Sequence, residues 1–297
     1  MNIINYLYNN KKISIDSADL NLIKNFKFNS ITSNPTLILK SFLNKTYNKI
    51  LNLFFIKNNK KKIIDSDKEI SLYDKILIFI VGNLIPYIND KISIEIPSRI
   101  SFNYNLIIIY SKKIIYLCEK YGINKSFILI KIPGTDSGIK AAKKLKEIGI
   151  EVNITLIFDI NQVKKCFDYG IYLISPFVGR ISDNIFCKYD SGVNFVKNIF
   201  IYKNNNNYKT KIMAASFRNI NQIINLRFCD CLTISPIYFN KLSKYNLKIL
   251  LNNNFNNLVK FNFYNKHSSK LIIEGLKSFD KDHKRLINLL STIINNL

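Results

Sequence analysis

The sequence has no tryptophan, two methionines and two histidines in 297 residues. Its five cysteines, Cys118, Cys166, Cys187, Cys229 and Cys231, form no C-x-x-C pair, and His267 and His283 both lie near the C-terminus. Zinc sites draw four ligands from recognisable pairs, so this distribution argues against a metal centre. An odd number of cysteines fits reduced structural thiols in a cytoplasm. Cys229 and Cys231, two apart, are expected on one face of a strand. Acidic residues are scarce: 20 Asp+Glu stand against 44 Lys+Arg, a formal net charge of +24. Such a surplus suits a phosphate-bearing partner, whether nucleic acid, a membrane surface or a phosphorylated substrate. The lysines are spread along the chain, however, with small knots at Lys60–Lys62 and Lys112–Lys113, and Ile and Asn are overused beside them. That is the bias of an AT-rich genome, and the charge is read as composition that favours solubility and loose association. Long apolar runs are lacking too. ILIFIVGNLIPYI (76–88) is too short to span a bilayer and is broken by Pro86, and MNIINYLYNNKK lacks the order of a signal peptide. A cytoplasmic protein with no membrane partner is expected.

Core material is abundant: 47% of residues are hydrophobic, including 21 Phe and 17 Tyr. Short strand-like runs fall at 13–16, 31–34, 92–96, 127–132, 152–157, 171–175, 212–216 and 231–235. Helical stretches lie between them, among them 135–148, 160–169 and 217–226, with Gly149 and Gly170 placed as helix C-caps. Strand then helix, eight times, predicts a closed (β/α)8 TIM barrel of α/β class with an additional C-terminal helix over 268–297, packed outside the barrel. Residues 57–68 and 203–209 read as polar loops and 252–265 as an irregular connection. No linker divides the chain, which predicts one barrel domain over 1–297.

Side chains alternate faces along a strand. In each run one face is apolar and the other mixed. Ser14 pairs with Asp16, Thr32 with Asn34, Ser93 with Glu95, Leu129 with Lys131, Asn153 with Thr155, Leu173 with Ser175, and Thr233 with Ser235. The apolar face packs on helices, so the mixed face points into the barrel. Lys131 then points inward near the C-terminal end of its strand, where such barrels keep their active sites. A lone buried lysine is ordinarily an ion-pair partner, because unpaired burial costs several kcal/mol. The collection of Asp16, Asn34, Glu95, Lys131, Asn153, Thr155 and Ser175 at strand C-ends instead suits a polar ligand. Desolvation favours a neutral, nucleophilic amine, and an amine on a ketone gives a Schiff base that serves as an electron sink for an adjacent carbon–carbon bond. Glu95 and Asp16 are suitable acid/base groups.

The stretches SNPTLILK (33–40), ILIKIPGTDSGIKAA (128–142), VNITLIFDINQVKKC (152–166), LISPFVGRISD (173–183), AASFRN (214–219) and LTISP (232–236) run in order over nearly the whole chain. Together they resemble the transaldolases, Schiff-base enzymes of the pentose phosphate pathway. The resemblance implies that Lys131 is the Schiff-base lysine and Asp16 the group that handles the hydroxyl proton in C–C cleavage. It implies that Glu95 and Thr155 hold a catalytic water, and that Asn34 and Asn153 bind substrate hydroxyls. Ser175, Arg180 and Arg218 would line the sugar and its terminal phosphate, with Ser216 assisting. Phe177 stands where transaldolases have Phe and fructose-6-phosphate aldolases tend to have Tyr. The sequence departs from the family pattern at Asp136, Ser137 and Pro97, which raises the question of whether Asp136 narrows the pocket.

The implied reaction moves a dihydroxyacetone unit from sedoheptulose 7-phosphate to glyceraldehyde 3-phosphate, with small sugar phosphates as partners and no metal or cofactor. Members of the family are often dimers, so a homodimer is the assembly implied. The nearest alternative is a fructose-6-phosphate aldolase-like enzyme that releases free dihydroxyacetone. A basic barrel that has lost its chemistry and binds nucleic acid is the alternative from another class. The intact set of site residues argues against it, and no specific nucleic-acid partner is expected.

Overall fold

The computed structural model describes residues 3–10, 13–26, 28–47, 51–52, 54–55, 71–184, 190–244 and 267–295. The expected loop over 57–68, the connection over 252–265 and Cys187 lie outside them. Eight strands are present: β1 Ile13–Asp16, β2 Ser30–Thr32, β3 Ile92–Glu95, β4 Ile128–Pro133, β5 Val152–Ile157, β6 Leu173–Pro176, β7 Lys211–Ala214 and β8 Cys231–Ile234. All neighbours pair in parallel and β8 closes on β1, giving a closed eight-stranded barrel. The described helices are α1 Ile3–Asn9, α2 Leu20–Asn25, α3 Pro35–Leu43, α4 Leu72–Leu84, α5 Tyr104–Lys120 and α6 Asp136–Glu147. They continue with α7 Ile160–Asp168, α8 Val178–Asn184, α9 Ser191–Asn205, α10 Ile220–Asn225, α11 Pro236–Leu242 and α12 Ser268–Asn295. The (β/α)8 reading therefore stands, with strand boundaries moved by one or two residues.

The two faces of the strands separate as alternation requires. The Ile-rich face, including Ile13, Ile15, Ile92, Ile94, Ile130, Ile154 and Ile234, belongs to the large core between strands and helices. Leu129, Leu173 and Met213 form a small separate cluster inside the barrel. Each fully buried isoleucine contributes about 1.5–3 kcal/mol, whereas a buried ion pair at best roughly breaks even against an apolar replacement. The outer face thus holds the barrel together, and the lumen is free to be polar.

Local signals set the helix ends. Asn34, Asp159 and Thr135 accept hydrogen bonds from the first-turn backbone of α3, α7 and α6, and Asp159 with Gln162 completes a capping box. Gly149 and Gly170 sit at positive φ, +74° and +59°, just past α6 and α7, as the C-cap reading expects.

Three expectations need correction. Residues 203–205 are helical, because α9 runs to Asn205 before the chain turns. Cys229 lies in the turn before β8, its N–H bonded to Leu226 O, so it does not share a strand face with Cys231. The C-terminal helix is not simply outside the barrel. It packs on α3, on the 3-10 turn Ser98–Ile100 and on β5, and so crosses the C-terminal mouth. No helix among the described residues is long and apolar enough to cross a membrane.

Candidate active site

Strand register places Glu95, Lys131 and Asn153 side by side across β3, β4 and β5. Lys131 is 4% exposed. Its Nζ lies 3.0 Å from Glu95 Oε2 and donates to Ser33 O at 3.1 Å. The sequence allowed for an ion-paired lysine or a ligand-facing one. Lys131 is both, since it also lines the cavity at the barrel mouth. Burial pushes the Glu95 carboxyl above its ordinary range, opposed by the Lys131 ammonium and reinforced by Asp16. Glu95 Oε1 and Thr155 Oγ1 are buried with no hydrogen-bond partner among the described residues. Orphaned polar atoms of this kind are ordinarily met by a water or a ligand group.

Asp16 ends β1. It opens on the cavity but is enclosed by barrel atoms on its other sides, and that burial raises its carboxyl, against the pull of Lys131 and a hydrogen bond from Thr32. Thr32 Oγ1 donates to Asp16 Oδ1 at 2.9 Å and lies 2.5 Å from Thr233 Oγ1. Asn34 uses Oδ1 to cap α3 through Leu37 N at 2.9 Å, which fixes its side chain on the cavity wall. Asn153 donates to Ser93 Oγ at 3.1 Å and accepts from Ser175 Oγ at 2.7 Å.

Thr155 shares the inward face of β5 with Asn153 by simple alternation, and an irregularity follows it. The β5–β6 register advances three residues from Ile154 to Ile157 on one strand but two on the other, and Leu156 takes up the extra residue at φ +55°. Such a bulge re-aims the neighbouring side chain. Beyond it, Phe177 and Arg180 follow β6, with the guanidinium 5.7 Å from the Phe177 ring. Ser216, at φ +61°, accepts from Gly179 N at 2.9 Å, which joins the β7 loop to the start of α8. Arg218 is thereby brought beside Arg180, where it pairs with Asp183 at 2.7 Å and reaches Ser216 Oγ at 3.4 Å. Burial, with the Arg218 charge next, holds the Arg180 guanidinium below its usual value. Two guanidinium groups at one end of a cavity form a receptor for a phosphate or carboxylate.

The mouth cavity measures about 330 Å³ and is lined by nine of the residues expected from sequence: Asp16, Asn34, Lys131, Thr155, Ser175, Phe177, Arg180, Ser216 and Arg218. Glu95 and Asn153 do not line it. Glu95 lies behind Lys131, and Asn153 lies beneath Ser175 with both polar ends of its amide engaged. Asp136 also lies away from this wall, exposed and paired with Lys165 at 2.6 Å, so it does not narrow the cavity. Sequence reasoning missed Thr36, Tyr238, Ser278 and Phe279, which also line it. Ser278 and Phe279 come from α12, held over the mouth by Thr36 Oγ1 donating to Asp282 Oδ2 at 2.5 Å. The helical period announces α12 but carries no signal of where it docks.

The Transaldolase/Fructose-6-phosphate aldolase family profile matches residues 13–290. The chain is 42% identical over 261 residues to a transaldolase of Wigglesworthia glossinidia brevipalpis, covering 85% of this chain and 82% of that one. It is 37% identical over 316 residues to a transaldolase of Buchnera aphidicola subsp. Cinara cedri, covering 98% and 99%. With a transaldolase of Blochmanniella floridana it shares 34% identity over 320 residues, covering 100% and 98%.

Proposed function

The chain belongs to the transaldolase/fructose-6-phosphate aldolase family, and from that premise we propose that it transfers a dihydroxyacetone unit from sedoheptulose 7-phosphate to glyceraldehyde 3-phosphate, giving erythrose 4-phosphate and fructose 6-phosphate. The observation that carries this reading is the buried Lys131 amine against Glu95, in a cavity that ends in Arg180 and Arg218.

Lys131 Nζ, once it has given its proton to Glu95, attacks the ketone carbon. Glu95, with a carboxyl raised by burial, returns that proton as the carbinolamine loses water and the imine forms. Thr155, whose hydroxyl is free of other partners among the described residues, holds that water. Asp16 takes the proton of the hydroxyl on the carbon beyond the cleaved bond. The C–C bond breaks, its electron pair moves into the protonated imine as an enamine, and the aldehyde leaves. The acceptor aldehyde enters and the same steps run backward. The imine is the electron sink, so the cycle calls for no metal or cofactor. Asn34 and Ser175 bind sugar hydroxyls, and Asn153 acts by holding Ser175. Arg180 and Arg218, with Ser216, receive the terminal phosphate. Phe177 offers no hydroxyl to hold a water against the enamine, which favours transfer over release of free dihydroxyacetone.

Borohydride reduction in the presence of fructose 6-phosphate, followed by intact mass and peptide mapping, tests this reading. The expected result is a reduced dihydroxyacetone adduct on Lys131. A folded protein that gains no adduct would overturn the mechanism. Dihydroxyacetone release without an acceptor, at a rate matching transfer, would replace transferase with aldolase.

A further inference from the structure

Two cavities enter the barrel from opposite ends. The lower one, about 410 Å³, opens among Asp90, Lys91, Tyr172 and Lys211 and rises inside the barrel to Ser30 and Ser93. Thr32 and Met213 line both it and the mouth cavity. Barrels of this type usually fill the lumen with layers of bulky branched side chains. Here Leu129, Leu173 and Met213 share the layers at and below Asp16 with the hydroxyls of Ser14, Ser30, Thr32, Ser93 and Thr233. Ser14 stands one inward step below Asp16 on β1, in register with Ser30 on one side and Thr233 on the other. Its hydroxyl is wholly buried and has no hydrogen-bond partner among the described residues. An unmet buried hydroxyl costs about 1–3 kcal/mol, and in a polar lumen an ordered water removes that cost. Above it, Thr32 donates to Asp16 and contacts Thr233. A threonine hydroxyl carries one proton, so with Asp16 ionised Thr233 is the donor to Thr32. The chain of hydroxyls is already polarised toward the carboxylate.

We propose that the barrel axis is a second, water-bearing route to Asp16, running from the lower cavity past Ser14 and through the hydroxyls of Thr233 and Thr32. The proposal rests on the reading of Asp16 as the base. While a sugar fills the mouth, bulk solvent is cut off from Asp16 on that side and the lower route remains. Along it a water gives a proton to Thr233 Oγ1, Thr233 passes its own to Thr32, and Thr32 passes its own to Asp16. Each threonine oxygen loses one O–H bond and gains one, the water regains its proton from solvent in the lower cavity, Asp16 ends protonated, and the reverse order carries a proton out. Ser14 is a positioning residue, because it holds the water that feeds the chain.

Ser14→Val and Ser14→Thr test the route. Ser14→Val fills the space and removes the hydroxyl, and its kcat is expected to fall on the order of tenfold, with KM near wild type and a larger solvent deuterium isotope effect. Ser14→Thr keeps the hydroxyl and restores both. A folded Ser14→Val enzyme with wild-type kcat and isotope effect overturns the proposal. Should that variant not fold, Ser30→Val, in the wall of the lower cavity and in register with Ser14, is expected to show the same pattern, and wild-type behaviour there overturns it. Absence of dihydroxyacetone transfer by the wild-type enzyme would overturn the functional reading first, and the proton role with it. A high-resolution crystal structure then tests the passage alone: water on Ser14 Oγ supports it, and a dry lumen overturns it.

Discussion

At the scale of single residues, the site is a balance of one ammonium and two carboxylates in a buried place. Lys131 is matched by Glu95 at 3.0 Å, which makes Asp16 the surplus charge. Burial raises the Asp16 carboxyl above its ordinary value of 3.8. Between the ordinary and the raised value the native protein holds a proton that the unfolded chain has released. Stability from this group is therefore present in acid and is lost as pH rises through the folded value. Asp16→Asn is permanently neutral and can still accept from Thr32. It is expected to abolish transfer yet raise the thermal midpoint at pH 7 by about 2–4 °C, the equivalent of about 1 kcal/mol. The gain should shrink as pH falls toward the ordinary carboxyl range, which thermal melts across pH would reveal. Glu95→Ala has the opposite sign. It strands the Lys131 ammonium and is expected to cost about 3–5 kcal/mol, read by urea melts. Lys131→Arg cannot form an imine, and its kcat is expected to fall at least on the order of 10⁴-fold in a coupled transfer assay.

At the scale of elements, the decisive contact is α12 against β5 and α8. A Cβ at Gly275 would stand 2.9 Å from Arg180 Nη1 and 3.0–3.1 Å from the methyls of Leu156. Glycine there lets the helix lie close over the bulge and the phosphate end of the cavity. Gly275→Ala is expected to push the Arg180 guanidinium aside, because that side-chain end is mobile whereas Leu156 is fully buried. The overpacking costs about 1–3 kcal/mol. KM for phosphorylated substrates should rise several-fold while borohydride trapping with unphosphorylated dihydroxyacetone is unchanged. Equal losses with both would show that the helix, not Arg180, had moved.

At the scale of the whole molecule, the +24 charge is spread over the chain and does not define the site. Several exposed lysines already face carboxylates, as Lys165 faces Asp136 and Lys144 faces Glu147, and pairs of this kind are worth little to stability. The expected consequence is loose, sequence-independent retention on DNA that disappears by about 0.2 M salt. Column retention measured against salt for two unrelated DNA sequences checks it. Retention that differs between them would revive the nucleic-acid reading.

Much of this was legible in the residues. Alternation along ISID, ISIEI, ILIKIP and VNITLI put Asp16, Glu95, Lys131 and Thr155 on one face, because the pleat leaves no other choice once the isoleucine face is buried. Helix caps at Asn34, Thr135 and Asp159 are equally local. What alternation leaves undetermined is depth and closure. Whether Glu95 and Asn153 reach the cavity depends on barrel stagger, which pairs residues across strands far apart in sequence. The bulge at Leu156 breaks the period of two at the site itself, and the docking of α12, which supplies Ser278 and Phe279, follows from packing against α3 and β5. The sequence by itself determined the barrel and the inward lysine, since both follow from period and burial along single strands. The tertiary structure alone decided which polar groups share one cavity and which stand behind it, because those distances run through space between strands and helices that the chain visits far apart.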